Sequence, residues 1–256
     1  MIKNQGPAGP PEGFVMIFTA ALSANAGLSL TIDGTRFWMD VLHDRKTGTF
    51  STVTPELFAR LMEAPAFDRP DFLLYTHRHP DHYSRELTEK ALEAFPDAFV
   101  VAPLAEYSGP VAFTGIGHDW DFGELHFHFF KAPHEGKEYA SVRNYGFLLE
   151  CGGKLIFAPG DSAIGDPQLA EVLAGRHIDL AILNFPWITL LRGRKLICES
   201  LKPEQLLVCH LPFAEDDMNG YRALSARSLE KLAAALPELK DARLIMDPLQ
   251  SETFTL

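Results

Sequence analysis

A chain of 256 residues, 46% of them hydrophobic, fits one large domain or two small ones and has ample material for a core. Its formal net charge of −11 argues against a general binder of the nucleic-acid backbone, which needs a basic face. A small anionic substrate is not excluded, because bound divalent cations reverse a local field.

The opening residues, "MIKNQGPAGPPEGF", lack a continuous apolar signal core, and residues 1–13 are expected to form a loose arm. The stretch "FVMIFTAALSANAGLSLTI" is interrupted by Thr19, Ser23, Asn25 and Ser29 and split by Gly27, so it reads as two strands rather than a membrane span. "FVMIFT" leads to "LSLTI", and Asp33-Gly34, which tolerates positive φ at both turn positions, returns the chain through "RFWMDVL". "TPELFARLMEA" reads as a helix with Thr54 at its N-cap and Pro55 at the first helical position. "DFLLYT" is a short buried strand, "SRELTEKALEAF" a helix capped by Ser84, and "AFVVAP" another core strand.

From about Val111 the pattern repeats in kind. Strands "VAFTG", "ELHFHFF", "YGFLLE" and "KLIFAP" precede a helix at "DPQLAEVLA" and the strand "IDLAIL". "QLLVCH" is a further strand, "ALSARSLEKLAAAL" a helix and "ARLIM" a final strand. No repeat, low-complexity block or linker divides the chain, so residues 14–256 are expected to form one domain. Strand groups alternating with helices in both halves predict two sheets packed face to face with helices outside, an α/β fold of the four-layer αββα type. Cys151, Cys198 and Cys209 form no C-x-x-C pair and their odd number cannot close into disulfides alone, which points to reduced thiols in a cytoplasmic protein.

The chemistry concentrates at strand ends. "LLYT" runs into His77, His79, Asp81 and His82; "HFHFFKAP" ends in His134, "LIFAPG" in Asp161 and "LLVC" in His210. One His or Asp at a strand end usually caps or faces solvent, but seven such residues in register do not have that account. Imidazole and carboxylate together suit Zn²⁺, and also Mn²⁺ or Fe²⁺. One zinc ion takes about four ligands, so seven side chains suit two ions sharing a bridge. Residues two apart in an extended segment point the same way, so His77 and His79 can chelate one ion. Asp81 and His82, past the bend at Pro80, can swing to a second.

With these motifs the chain resembles the metallo-β-lactamase-fold hydrolases, whose signature is H-x-H-x-D-H followed by a lone His, a bridging Asp and a last His. Here the signature stands as "HRHPDH", "KAPHEG", "FAPGDS" and "VCHLP", in that order. The resemblance runs from about Phe14 to Leu256. It implies the αββα fold, a first metal on His77, His79 and His134, and a second on Asp81, His82 and His210, with Asp161 bridging. Asp40, ending "FWMD", resembles the family's supporting aspartate, expected to fix imidazole tautomers. A hydroxide held between two cations is the expected nucleophile, and Asp81 the expected catalytic proton shuttle. No G-x-S-x-G elbow offers an alternative nucleophile.

Further residues are candidates for substrate contact: His43 in "LHDRKTGTF", Tyr83 after the motif, His118 in the "GIGHDWD" loop, and Arg192 and Arg194 in "LLRGRK". The bland readings are packing for Tyr83 and a solvated turn for "LLRGRK". His126 and His128 alternate along one strand and are expected to form its polar face, and His177 to sit at a helix end. The expected partner is a small molecule, not nucleic acid or a membrane; dimerisation is common in the family, which leaves a homo-oligomer open.

Within the family, the diiron branch typically has Glu where this chain has His79, and secreted β-lactamases typically lack the bridging Asp. "FWMD", "THRHPDHYS" and "LKPEQLLVCHLP" look most like the sugar-phosphate lactonase-like branch. Small-molecule phosphodiesterases and thioester hydrolases are the alternatives, and a metal-stabilised sensor or scaffold the non-enzyme reading.

Overall fold

The computed structural model describes residues 15–103 and 118–256. The first half runs β1 (Ile17–Leu22), β2 (Leu28–Ile32), β3 (Thr35–Met39), α1 (Pro55–Glu63), β4 (Phe72–Leu74), α2 (Arg85–Ala94) and β5 (Phe99–Val101). The second runs β6 (His118–Phe122), β7 (Leu125–Ala132), β8 (Asn144–Cys151), β9 (Lys154–Ala158), α3 (Pro167–Leu173), β10 (Leu180–Asn184), α4 (Pro186–Thr189) and α5 (Leu191–Leu196). It closes with β11 (Gln205–Cys209), α6 (Tyr221–Ala235), β12 (Asp241–Leu244) and β13 (Ser251–Thr255).

Local chemistry sets these elements as the sequence implies. Asp33 and Gly34 take φ of 47° and 79°, and the turn pairs Ile32 with Thr35. Thr54 caps α1 by accepting from Leu57 N at 3.2 Å, and Ser84 caps α2 by accepting from Leu87 N at 3.3 Å.

Two sheets result, ordered β13-β1-β2-β3-β4-β5 and β12-β11-β10-β9-β8-β7-β6. Alternation along β3 explains the layering. Phe37 points inward, with its ring centroid 5.5 Å from Phe127 of the opposite sheet, while Trp38 points outward against Phe67 and Phe95 at 5.9 and 5.7 Å. Between the sheets, Phe37, Phe72, Phe127 and Phe147 form one aromatic core, each fully buried ring contributing about 1.5–3 kcal/mol. A second apolar cluster, including Phe157, Leu169, Trp187, Leu206 and Leu232, seals α3, α4 and α6 onto the outer face of the second sheet. The four-layer αββα sandwich follows.

Several expectations need correction. "LLRGRK" is not a solvated turn but α5, which runs into a π-helical turn over Ile197–Leu201. Gly193 allows this, since a Cβ there would stand 2.2 Å from the Trp187 carbonyl oxygen, while Ile197 and Leu201 are buried. "ARLIM" supplies β12 but is not the last strand: β13 returns to the first sheet and pairs antiparallel with β1. The expected arm over 1–13 and the strand "VAFTG" lie outside the described residues.

Candidate metal centre

β3 and β4 are parallel, β9, β10 and β11 are parallel, and β8 is antiparallel to both β7 and β9. The C-terminal ends of β7, β9, β10 and β11 therefore share one edge of the second sheet, where they meet the loop that follows β4. That edge carries Asp40, His77, His79, Asp81, His82, His134, Asp161, Asn184 and His210.

Asp161 is the hub. Its Oδ2 lies 3.3 Å from His134 Nε2, 3.4 Å from His82 Nε2, 3.6 Å from His210 Nε2 and 3.9 Å from His77 Nε2. His210 Nε2 is also 4.0 Å from Asp81 Oδ2 and 3.0 Å from His82 Nε2. His79, half-buried, packs its ring 4.4 Å from that of His134.

Hydrogen bonds behind the imidazoles fix their tautomers. His82 Nδ1 donates to Asp40 Oδ2 at 2.9 Å. Thr76 gives its hydroxyl proton to the same oxygen at 2.6 Å, and its backbone N–H to Asp40 Oδ1 at 2.8 Å. The Thr76 hydroxyl can then only accept from His77 Nδ1, 3.0 Å away. His134 Nδ1 donates to the Glu135 carbonyl at 2.7 Å. His77, His82 and His134 thus turn Nε2 lone pairs toward Asp161.

These donor atoms fit divalent metal ions. His77 Nε2, His134 Nε2 and Asp81 Oδ1 are buried with no hydrogen-bond partner, an arrangement that costs free energy unless something electropositive sits among them. Donor atoms of His77, His79, His134 and Asp161 lie within 4.8 Å of one another, as do those of Asp81, His82 and His210. Nitrogen and carboxylate oxygen in such groups match zinc, manganese or iron.

Protonation in the metal-free chain follows from burial and neighbours. For Asp161, burial opposes ionisation, but His82 and His210 outweigh it and hold the carboxyl well below its usual range. Burial, then His82, push His77 well down. Burial and His134 lower His79. For His82 burial is opposed by Asp161 and Asp40, which together raise it well above an ordinary imidazole.

A pocket of about 330 Å³ opens over these groups. His79, Asp81, His134, Asp161 and His210 line it, together with the apolar Phe50, Ile164, Phe185, Pro186 and Trp187.

The expected substrate contacts fare unevenly. His43 is fully buried, with Nε2 3.2 Å from the Ala24 carbonyl, and does not line the pocket because the chain folds it behind the metal-facing residues. Tyr83 is buried edge-on against Tyr75 at 5.0 Å and borders a separate cleft with Arg45, Arg78 and Arg85. His118 starts the edge strand β6 rather than lying in a loop; its side chain lies outside the described residues. Arg194 donates to the Ile188 and Thr189 carbonyls at 3.0 and 2.7 Å, a structural contact at the end of α4. Arg192 alone comes near the pocket, through its ion pair with Glu135 at 2.5 Å. His126 and His128 pair with Asp121 and Asp119 across β6 and β7, as a polar face should. His177 is exposed, 3.3 Å from Glu204.

Two site residues escaped sequence reasoning. Thr76 links Asp40 to His77, and Asn184 donates to Asp161 Oδ1 and, at 3.2 Å, to the Gly160 carbonyl. Asn184 carried the same signal as the ligands, a polar residue ending the apolar strand "LAILN".

Comparison with known proteins places this site in context. Igni18, a metallo hydrolase from the archaeon Ignicoccus hospitalis, superposes with a TM-score of 0.64 at 16% identity, covering 93% of this chain and 98% of that one. The metallo-beta-lactamase fold protein YhfI from Bacillus subtilis gives 0.63 at 12% identity, covering 94% and 99%. CmlA, a diiron beta-hydroxylase from Streptomyces venezuelae, gives 0.57 at 15% identity, covering 93% of this chain and 54% of its own. No curated protein matches this chain by sequence. Residues 49–211, which hold every candidate ligand and begin just before the pocket-lining Phe50, match the family described as the Beta-lactamase superfamily domain. The chain belongs to the beta-lactamase superfamily.

Proposed function

We propose that this protein is a metal-dependent hydrolase that holds two divalent cations, with zinc the best fit to its ligands, and cleaves a small ester or lactone. The observation that carries the reading is the placement of Asp161 Oδ2 among four ring nitrogens at 3.3–3.9 Å. Asp161 so placed would be shared between the two groups of ligands if ions were bound. His77, His79 and His134 would hold the first, and Asp81, His82 and His210 the second. Bound there, the ions supply an acidified water and a Lewis-acidic contact for the attacked oxygen.

The chain's own groups do the rest. Asp81 takes up the proton released during attack, since its Oδ1 is buried with no hydrogen-bond partner and its Oδ2 lies 4.0 Å from His210 Nε2. Asp40 and Thr76 hold His77 and His82 in the tautomers that leave Nε2 free. The apolar wall of the pocket excludes bulk water from the reacting bond.

The test is metal content measured alongside turnover. Two equivalents of metal with hydrolysis of esters or lactones support the reading. One tightly enclosed ion and no turnover on lactones, thioesters and phosphodiesters would instead identify a metal-stabilised sensor or scaffold.

A further inference from the structure

The pocket beside the cluster combines two unlike kinds of lining. Beyond the candidate ligands its lining is mainly apolar, with Phe50, Ile164, Phe185, Pro186 and Trp187, and includes polar side chains such as Tyr139 and Asn184; among the described residues no lysine or arginine lines it. Arg192, close to the pocket, is held by Glu135 Oε1 at 2.5 Å. Glu135 Oε2 is itself fixed by the Ile164 backbone N–H at 2.9 Å, so this carboxylate stays in the pocket lining. A phosphate entering here would meet apolar side chains and a carboxylate, with no lysine or arginine among the described lining residues to replace its hydration. The apolar lining reaches right to the candidate ligands. The ring of Phe50 stands edge-on to His210 at 4.5 Å and 6.5 Å from that of Phe185. A volume of about 330 Å³ falls at the small end of ligand pockets and accommodates a reacting group plus one ring.

We infer that this pocket takes the non-reacting part of the substrate as an uncharged apolar group, about the size of a benzyl ring, and discriminates against a phosphate there. The inference rests on the hydrolase reading, and it separates this chain from enzymes of phosphorylated sugars. Hydrolysis adds water across the ring C–O bond of a lactone and yields a hydroxy acid, so no further reactant is required.

The experiment compares two γ-lactones, one bearing a benzyl and one a phosphomethyl substituent, with the metal-loaded protein. The benzyl lactone should show kcat/KM at least tenfold higher, and the ratio should fall several-fold in Phe185→Ala and in the milder Phe50→Leu. Equal or better turnover of the phosphomethyl lactone overturns the inference. Should neither be turned over, the hydrolase reading fails, and calorimetry with the corresponding inert lactams decides the pocket separately. Tenfold tighter binding of the benzyl lactam upholds the apolar assignment; equal or weaker binding removes it.

Discussion

Asp40 Oδ2 stands 2.9 Å from His82 Nδ1, a contact made across 42 residues of sequence. The same oxygen receives the Thr76 hydroxyl, so one carboxylate orients both His77 and His82. Asp40 occupies the left-handed region at φ 54°, which asparagine tolerates, so Asp40→Asn keeps the backbone while weakening this acceptor. Metal affinity should fall about 10–100-fold, read by competition with a chromophoric chelator. Wild-type affinity in this variant would remove Asp40 from the metal-supporting network.

His79 is half-buried and contributes little to the core, so His79→Ala should fold with a near-native melting temperature. The bound metal should drop by about one equivalent and hydrolysis should be lost. Retained activity with full metal content would exclude His79 from the proposed centre.

Asn184 holds the outer oxygen of Asp161. Asn184→Leu leaves that oxygen without its donor and lets the carboxylate rotate, so metal affinity should weaken by about tenfold with little change in the circular dichroism spectrum. An unaltered metal titration would show that the neighbouring imidazoles suffice to position Asp161.

His43 supplies a pH dependence of its own, set mainly by its burial. Burial pushes its pKa from 6.5 down to about 4, against the opposing hydrogen bond to Ala24. Below pH 6.5 the unfolded chain binds a proton that the folded chain refuses until about pH 4. Stability from this residue is therefore complete above pH 6.5 and lost as pH falls between those values, by about 3 kcal/mol in all. Urea unfolding of His43→Gln should show a correspondingly shallower decline over that window. Parallel curves for the two proteins would assign the acid sensitivity elsewhere.

Gly193→Ala should destabilise the protein by about 1–3 kcal/mol, because the new methyl meets the Trp187 backbone, which is not free to move aside. Thermal unfolding checks this, and an unchanged melting temperature would mean that α5 shifts freely over α4.

The candidate ligands were legible because each follows an apolar strand whose end topology delivers to one edge, and a strand end is recorded in local sequence. Thr54, Ser84 and Asp33-Gly34 were legible for a similar reason: caps and tight turns are settled by a few adjacent residues. Much of what escaped depended on contacts outside each segment's own few residues. The chelating loop says nothing about His43 lying under Ala24, nor "LLRGRK" about the Trp187 carbonyl that makes its glycine helical. β13, "SETFT", buries only Phe254 among its five residues, so its identity as a strand comes from β1 rather than from its own pattern.

That partnership shapes how the molecule can be made. β1 pairs Ile17 with Thr255 and Ala21 with Ser251. At a ribosomal rate of about 5–20 residues per second, β1 waits many seconds for its outer neighbour, leaving one flank of backbone amides open to stray pairing. Hairpin partners β2 and β3 are at hand at once, so the nascent first sheet assembles from its middle outward. Newly synthesised protein should thus be most vulnerable to aggregation just before Ser251–Thr255 emerges.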